Sequence, residues 1–446
     1  MPRIFKSEVI QVIISVKEAE KMIEGKLYYL AENVLKLEGR NGKFLCPFHS
    51  DNKPSMKYYY DENNEHMYCF ACNKSYTVVD LYKHLKGARN DIEAYEIALA
   101  DLGHKNITVV KEKNEYYKLI TSLLDIAEEI HRHISIHNLN DKAKDFLHKK
   151  GIYDPMFLKK RGIGQIKRDD LDYLFNRLTE KYGKAVEFFN KSFFAENMLV
   201  FTIYNYEGKP VAFASRNLDF DEKNYTLPKY VNTKNSPIYK KKINPYGVDL
   251  INPANVIAGY SYVYIVEGYT DAVAMHSNNI KNTIALGGTA LSMELVKRLR
   301  DLGIELIIFM LDGDEAGRNS VLEFITKKLP YTDMLVGVKR LPDGVDPDEY
   351  LKKYGASSLE RMRLMSAPEY VLRETKDITL TLNVMENIRI IEEENMALRI
   401  QDAAKELGIE FNAYKYLYNK TKKKYEDLKD YVKNKIAKQL ALLEVE

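Results

Sequence analysis

A chain of 446 residues is too long for one ordinary hydrophobic core, so two to four domains are expected. With 45% hydrophobic and 29% charged residues it is globular in composition, which excludes disordered and fibrous classes. A formal net charge of +3 excludes a global polycationic argument for nucleic-acid binding, and three cysteines cannot all pair as disulfides.

The N-terminal stretch MPRIFKSEVIQVIISVKEAEK holds a short apolar run interrupted by Lys6, Glu8 and Lys17, without the apolar core and cleavage site of a signal peptide. Nowhere do eighteen consecutive apolar residues occur, so no membrane span and a cytoplasmic location are expected. The cysteines then arrive with metal-ligand spacing: Cys46 and His49 in KFLCPFHS, nineteen residues, and Cys69 and Cys72 in YCFAC. Four N/S ligands leave no open position for substrate, so the pattern predicts one structural Zn²⁺ rather than a catalytic one. His66, His84 and His104 lack such spacing and read as surface or core residues. Around the cluster lie Lys43, Lys53, Lys57, Tyr58, Tyr59, Tyr60, Tyr68, Phe70, Lys74 and Tyr76. Cations interleaved with aromatics suit single-stranded nucleic acid, but the same rings could simply cover a small sheet, and both readings stand at this point.

After two helix-like periods ending at Gly103, the polar segment 104–114 reads as a linker. From 115 to about 250 the pattern is α+β, with a hairpin turn at Glu207-Gly208-Lys209. KAKDFLHKK and FLKKRGIGQIKRDD make a basic stretch in which Lys159, Lys160, Arg161, Lys167 and Arg168 could track a DNA strand. Lys229 to Lys242 holds five lysines and no acid, suited to a triphosphate or a template backbone. From Tyr260 short β-branched runs alternate with amphipathic helices, which predicts βαβ units around a mostly parallel sheet. Beyond 370 the chain reads as helical and charged.

The sheet segment carries acids at strand ends. Glu267 closes YVYIVEG with Asp271 four residues on; Asp312 and Asp314 follow ELIIFML; Asp346 and Asp348 follow MLVGVKRLP. Parallel sheets gather ligands at their carboxyl edge, so these acids are expected on one rim, where they suit Mg²⁺ or Mn²⁺ and two-metal phosphoryl displacement. Glu315 and Asp343 read instead as helix-dipole and turn residues.

The order C-P-F-H, Y-C-F-x-C, E-G-Y-x-D, D-G-D-x-A-G-R and L-P-x-G-x-D-P-D, spread over about residues 30–370, resembles the bacterial-type DNA primase family, whose catalytic sheet is the TOPRIM fold. The resemblance implies a multidomain α+β and α/β protein: a zinc-binding domain (1–104), the N-terminal subdomain of an RNA-polymerase domain (115–255), a TOPRIM parallel-sheet core (256–345), the C-terminal part of the polymerase domain (346–370) and a helical region (371–446) for helicase interaction. It further implies that Glu267, Asp271, Asp312, Asp314, Asp346 and Asp348 bind two or more catalytic metals, with Glu267, Asp312 and Asp314 catalytic. Arg216, Lys229, Tyr230, Asn232 and Lys241 fall on its nucleotide-handling positions, with Lys240 an alternative to Lys241. The implied function is RNA-primer synthesis on single-stranded DNA from ribonucleoside triphosphates. Asn73-Lys74-Ser75 stands where the family tends to be glycine-rich, and 371–446 is short for a helicase-binding region, which suits a compact or phage-encoded version. The competing expectations are a TOPRIM nuclease or topoisomerase-like cleaver, and a non-catalytic zinc-dependent single-strand binder or helicase loader.

Overall fold

The computed structural model describes residues 12–40, 42–61, 64–223, 228–257 and 259–443; the reading of the N-terminal segment up to residue 11 lies outside them. The chain divides into two compact units, 1–122 and 123–446.

In the first unit β1 (Val12–Ser15) pairs in parallel with β7 (Ile107–Val110). The stretch expected as a linker therefore belongs to this unit: the β-branched run Ile107-Thr108-Val109-Val110 has strand propensity that its polar flanks conceal, and Val109 and Val110 are buried. Ser15 and Glu18 form a reciprocal capping box that starts helix Val16–Ile23, and Thr77 and Asp80 do the same for helix Val78–Leu85. These helices and Asp91–Asp101 enclose one core built from Ile14, Ala19, Leu30, Tyr82, Ala98 and Val109. A second, smaller core lies under a five-stranded antiparallel sheet in sequence order: β2 (Gly39–Arg40), β3 (Lys43–Phe44), β4 (Met56–Asp61), β5 (Asn64–Cys69) and β6 (Lys74–Tyr76). Cys46 and Cys69 are part of that core.

The second unit contains a four-stranded antiparallel sheet of β8 (Ile163–Gly164), β9 (Met198–Tyr204), β10 (Pro210–Asn217) and β11 (Tyr230–Asn232), ordered β11-β10-β9-β8. The expected hairpin joins β9 to β10, with Gly208 at φ 76° in the left-handed region its turn requires. A second sheet follows: β12 (Val256–Ile257), β13 (Tyr260–Val266), β14 (Thr283–Ala285), β15 (Leu306–Phe309), β16 (Leu335–Val338) and β17 (Met365–Ser366). Strands β14, β13, β15 and β16 are parallel in that spatial order, and β12 and β17 pair antiparallel to the sheet. Each face has its own core, because side chains alternate: Tyr264, Val266 and Ile308 enter one, Val263, Ile265, Ile307 and Phe309 the other. From β13 the chain steps to β14 on one side and then crosses to β15 on the other. That reversal makes a topological switch point between the carboxyl ends of β13 and β15. The chain ends, as expected, in helices Ala367–Thr375, Ile378–Asn387, Glu393–Glu406 and Ala413–Leu443, which share a core of Leu372, Met385, Ile400, Ala404 and Ala413.

Candidate metal centre and active site

In the first unit Cys46 follows β3, His49 lies in the next turn, Cys69 ends β5 and Cys72 sits in the turn before β6. The four ligand atoms all lie within 4.8 Å of one another, with Cys72 Sγ 3.2 Å from His49 Nδ1 and 3.8 Å from Cys46 Sγ. A soft, four-membered donor set of this kind, with Cys46 and Cys69 buried, fits zinc. Asp51 braces the first knuckle, accepting from the Cys46 amide at 2.9 Å and from the Ser55 hydroxyl at 2.5 Å. Asn73, where the family tends to glycine, adopts φ 54°, a conformation that asparagine tolerates, and accepts from the Tyr68 hydroxyl.

The two readings of the neighbouring aromatics divide along the strand pleat. Tyr76 is buried and stacks on Phe48, and Tyr58 is half-buried and donates to Glu65, so both pack. The opposite face carries Lys43, Lys57, Tyr59, His66 and Tyr68, with Phe70 exposed beyond it. There Lys57 lies over Tyr59 at 5.3 Å and Lys43 over Phe70 at 5.9 Å. His84 donates from its ring Nε2–H to Pro47 O at 2.7 Å and is a structural contact.

In the second unit Glu267 leaves the end of β13 and Asp312 the end of β15, on the two sides of the switch point. Asp271 lies in the first turn of helix Tyr269–Ser277 and accepts from the Gly268 amide at 3.0 Å. Asp314 caps helix Glu315–Glu323 through the Gly317 amide at 2.8 Å. Asp346 occupies the N-cap position of helix Pro347–Tyr354 without a side-chain capping bond, and Asp348 is buried in its first turn. The loops after β15 and β16 are stitched together by Gly344 N to Gly313 O at 2.9 Å and Gly313 N to Val345 O at 3.3 Å, which draws Asp346 toward Asp312 and Asp314. The glycines of D-G-D-x-A-G-R make room for this: a Cβ on Gly313 would meet Pro342 O at 2.2 Å, and one on Gly317 would meet Asp312 O at 2.5 Å and Glu267 Oε1 at 2.9 Å.

The acids feel one another. Burial, then Asp346, Glu267, Asp314 and Asp348, push the Asp312 carboxyl up to about 7. Burial, Asp314 and Asp346 raise Glu267, and burial, Asp348 and Asp312 hold Asp271 well above the usual carboxylate range. Asp346 and Asp348 are raised as well, burial being the largest cause for each. Glu267 Oε1, Asp312 Oδ1 and Asp348 Oδ1 are buried without a hydrogen-bond donor among the described residues. Hard oxygen atoms so crowded and undonated fit divalent cations.

Lys150, the last residue of the basic stretch KAKDFLHKK and not singled out there, is a cation already present at the acids. Its Nζ lies 2.7 Å from the fully buried Asp348 carboxylate, and it favours the charged forms of Asp271 and Asp346. Burial, the largest single cause, pulls its pKa down, but Asp348, Asp271 and Asp346 together outweigh it and the net shift is upward.

The nucleotide-handling candidates line the same rim. Arg216 on β10 pairs across the sheet with Tyr230 on β11, and its guanidinium lies 5.2–5.9 Å from the rings of Tyr230, Phe146 and Phe220. Its Nε and Nη1 find no acceptor among the described residues. Tyr230 is close enough to Asp271 and Lys150 to feel both charges, Asn232 accepts from the Tyr269 hydroxyl, and Lys229 favours the charged form of Asp346. Lys241 is half-buried and donates to Gly287 O at 2.6 Å, beside Tyr269, whereas Lys240 is exposed.

One expectation is overturned. Arg161 does not face solvent: it is 5% exposed, pairs bidentately with Asp249 at 2.5 and 3.0 Å, and lies over the rings of Tyr204 and Tyr246. Its carboxylate partner lies almost ninety residues away, so the local run of basic letters gave no sign of it. Lys159, Lys160, Lys167 and Arg168 are exposed.

Three family models match in succession: a CHC2 zinc finger over residues 7–118, the N-terminal domain of a DNA primase catalytic core over 130–252, and a Toprim-like domain over 264–351. A DNA primase from Clostridium acetobutylicum is 30% identical over 346 residues, covering 74% of this chain and 54% of the relative. The chain spans about half the length of the curated relatives it matches. The fold is shared with the zinc-binding and RNA polymerase domains of the Aquifex aeolicus primase, with a TM-score of 0.50 and 22% identity over 87% of this chain and 96% of that one. It is shared also with a DnaG primase catalytic domain solved bound to ssDNA, with a TM-score of 0.51 and 22% identity over 67% of this chain and 99% of that one.

Proposed function

Because the chain carries the three successive modules of the bacterial-type DNA primase family, we propose that it is a template-dependent RNA polymerase that starts short RNA primers on single-stranded DNA. The observation that carries this reading is the meeting, at one switch point, of a strongly acidic rim with a wall of Arg216, Tyr230, Asn232 and Lys241. A cleaving enzyme needs the acids but not that wall, and a simple binder gains nothing from negative charge set beside a polyanion.

Glu267, Asp271, Asp312, Asp314, Asp346 and Asp348 would hold two or more Mg²⁺ or Mn²⁺ ions, which when bound neutralise phosphate charge and activate the attacking 3′-hydroxyl. Glu267, Asp312 and Asp314 act nearest the switch point. Arg216, stiffened by its ring neighbours and with donors to spare, takes phosphate oxygens of a ribonucleoside triphosphate, and Lys229 and Lys241 add charge on either side. Tyr230 and Asn232, fixed by β11, set the position of the sugar and base. The basic, aromatic face of the zinc module engages the template. The same proposal places a replicative helicase contact on the C-terminal helices and the activity in the cytoplasm of a bacterium or of an infected host cell. It keeps the domain limits 115–255, 256–345, 346–370 and 371–446, and carries the zinc-binding domain past residue 104 to include β7. No helix among the described residues is long and apolar enough to cross a membrane.

The test is a denaturing-gel assay of the full chain with mixed single-stranded templates, labelled ribonucleotides and Mg²⁺ or Mn²⁺. Short RNA products that vanish with Asp312→Asn and Arg216→Ala are expected. Metal-dependent nicking of plasmid without nucleotides, and no RNA, would replace this reading with the nuclease.

A further inference from the structure

Among the described side chains, those of the last helix, Ala413–Leu443, that pack on the rest of the unit lie at its start. Ala413 is buried, Tyr416 and Leu417 are half-buried beside the helix Glu393–Glu406, and Lys420 pairs with Glu393. From Thr421 to Lys433 the described side chains are exposed. Large aromatics are expensive to leave in water, yet Tyr414, Tyr418 and Tyr425 are 70%, 68% and 68% exposed; Tyr431, 62% exposed, falls on another side of the helix.

Their placement is ordered. At about 100° per residue, these three tyrosines fall within a strip about 40° wide along the helix. Lys415, Lys422, Lys429 and Lys433 fall within a second strip, also about 40° wide, directly beside the first. The acids of this stretch, Glu426, Asp427 and Asp430, lie beyond the lysines, away from the rings. Rings in one row with cations in the next are what a single nucleic-acid strand requires, with bases stacked on one side and phosphates on the other. Protein interfaces, by contrast, deplete lysine at their cores.

We propose that this tyrosine–lysine face of the C-terminal helix binds single-stranded nucleic acid, as a site separate from the acidic rim. The strand is either template DNA or product RNA, since both present the same stacking faces and phosphates. The proposal rests on the primase reading only for the presence of such strands.

The test is photocrosslinking of the full chain to oligo-dT and to oligo-U, each carrying 5-iodouracil, followed by peptide mapping. Crosslinks to peptides holding Tyr414, Tyr418 or Tyr425 are expected. They should vanish in the Tyr414→Ala/Tyr418→Ala/Tyr425→Ala variant, while crosslinks elsewhere in the chain persist. Affinity for a twenty-nucleotide strand should fall roughly 10–100-fold in that variant. Replacing Lys415, Lys422 and Lys429 by Gln should flatten the log–log salt dependence of binding by about 2. Crosslinks to DNA alone assign the face to template, and crosslinks to RNA alone assign it to primer. A protein that still makes primers but gives no crosslink on this helix overturns the proposal while leaving the primase reading intact. A crosslink-free helix that self-associates with rising concentration overturns it in favour of a helix–helix interface.

Discussion

Asp312→Asn is expected to make the protein more stable in divalent-free buffer while abolishing primer synthesis. Burial and the surrounding acids hold this carboxyl at about 7, against 3.8 for an ordinary aspartate. The folded state thus keeps a proton that the unfolded chain releases as pH rises between those values. Stability therefore falls across that window, and the full deficit is present above pH 7. About three pH units at ~1.4 kcal/mol each comes to about 4 kcal/mol. The side chain is only partly buried, and solvent screening brings the figure down to about 2 kcal/mol. Asparagine carries no such deficit, so scanning calorimetry at pH 8, with zinc retained and other divalent ions removed, should show melting of the second unit raised by about 3–5 °C. At pH 5 the gain should shrink to under ~1 kcal/mol, because most of the window lies above that pH. Added Mn²⁺ should raise the melting of the parent protein and affect the variant less. A variant less stable than its parent at pH 8, or a gain that does not change with pH, would refute the electrostatic account of the rim.

Four further outcomes are expected. Cys69→Ser should lose its equivalent of zinc by atomic emission and unfold the small sheet, since such a site supplies roughly 10–16 kcal/mol; a full equivalent retained would contradict the ligand assignment. Lys150→Met strands the buried Asp348 and should cost about 2–4 kcal/mol by denaturant unfolding, most of it recovered in Lys150→Met/Asp348→Asn; a coupling energy near zero would show the 2.7 Å contact to be inert. Arg161→Met should cost about 3 kcal/mol of stability and leave single-strand affinity within twofold, whereas weakened DNA binding at full stability would restore a template-tracking role. Gly317→Ala should lower primer synthesis about a hundredfold, because its Cβ would press on Asp312 and Glu267; near-normal activity would mean that the helix start yields without cost.

What was legible in the sequence was legible because it was local. The zinc ligands sit in two short knuckles, and Glu267 and Asp312 sit one and three residues past the apolar strands β13 and β15. Lys159 and Arg161 show the limit. The two letters stand two residues apart in the same basic run, yet one points into water and the other is enclosed by Asp249, Tyr204 and Tyr246. Charge alone does not say which side of a short helix end will be covered; only the partner does, and here the partner is distant in the chain. β7 escaped for a related reason, since four β-branched and apolar residues between polar flanks declare a strand only when β1 supplies its ladder.

Lys150 makes the same point at the site itself. An acidic rim read from strand ends looks like a set of metal ligands awaiting cations, and nothing within that segment hints at a resident positive charge. The lysine arrives from the end of helix Asp141–Lys149, almost two hundred residues before Asp348, and only the packing of the antiparallel sheet's helices against the parallel sheet brings it there. Its presence changes the chemistry that the acids can perform, because Asp348 and Asp271 are partly compensated before any cation binds, whereas Glu267 and Asp312 at the switch point are not. The rim is therefore electrostatically unequal along its length. On the proposed metal-binding reading, the uncompensated pair would gain most from a first cation, and a second would have to share Asp348 with Lys150 or displace it.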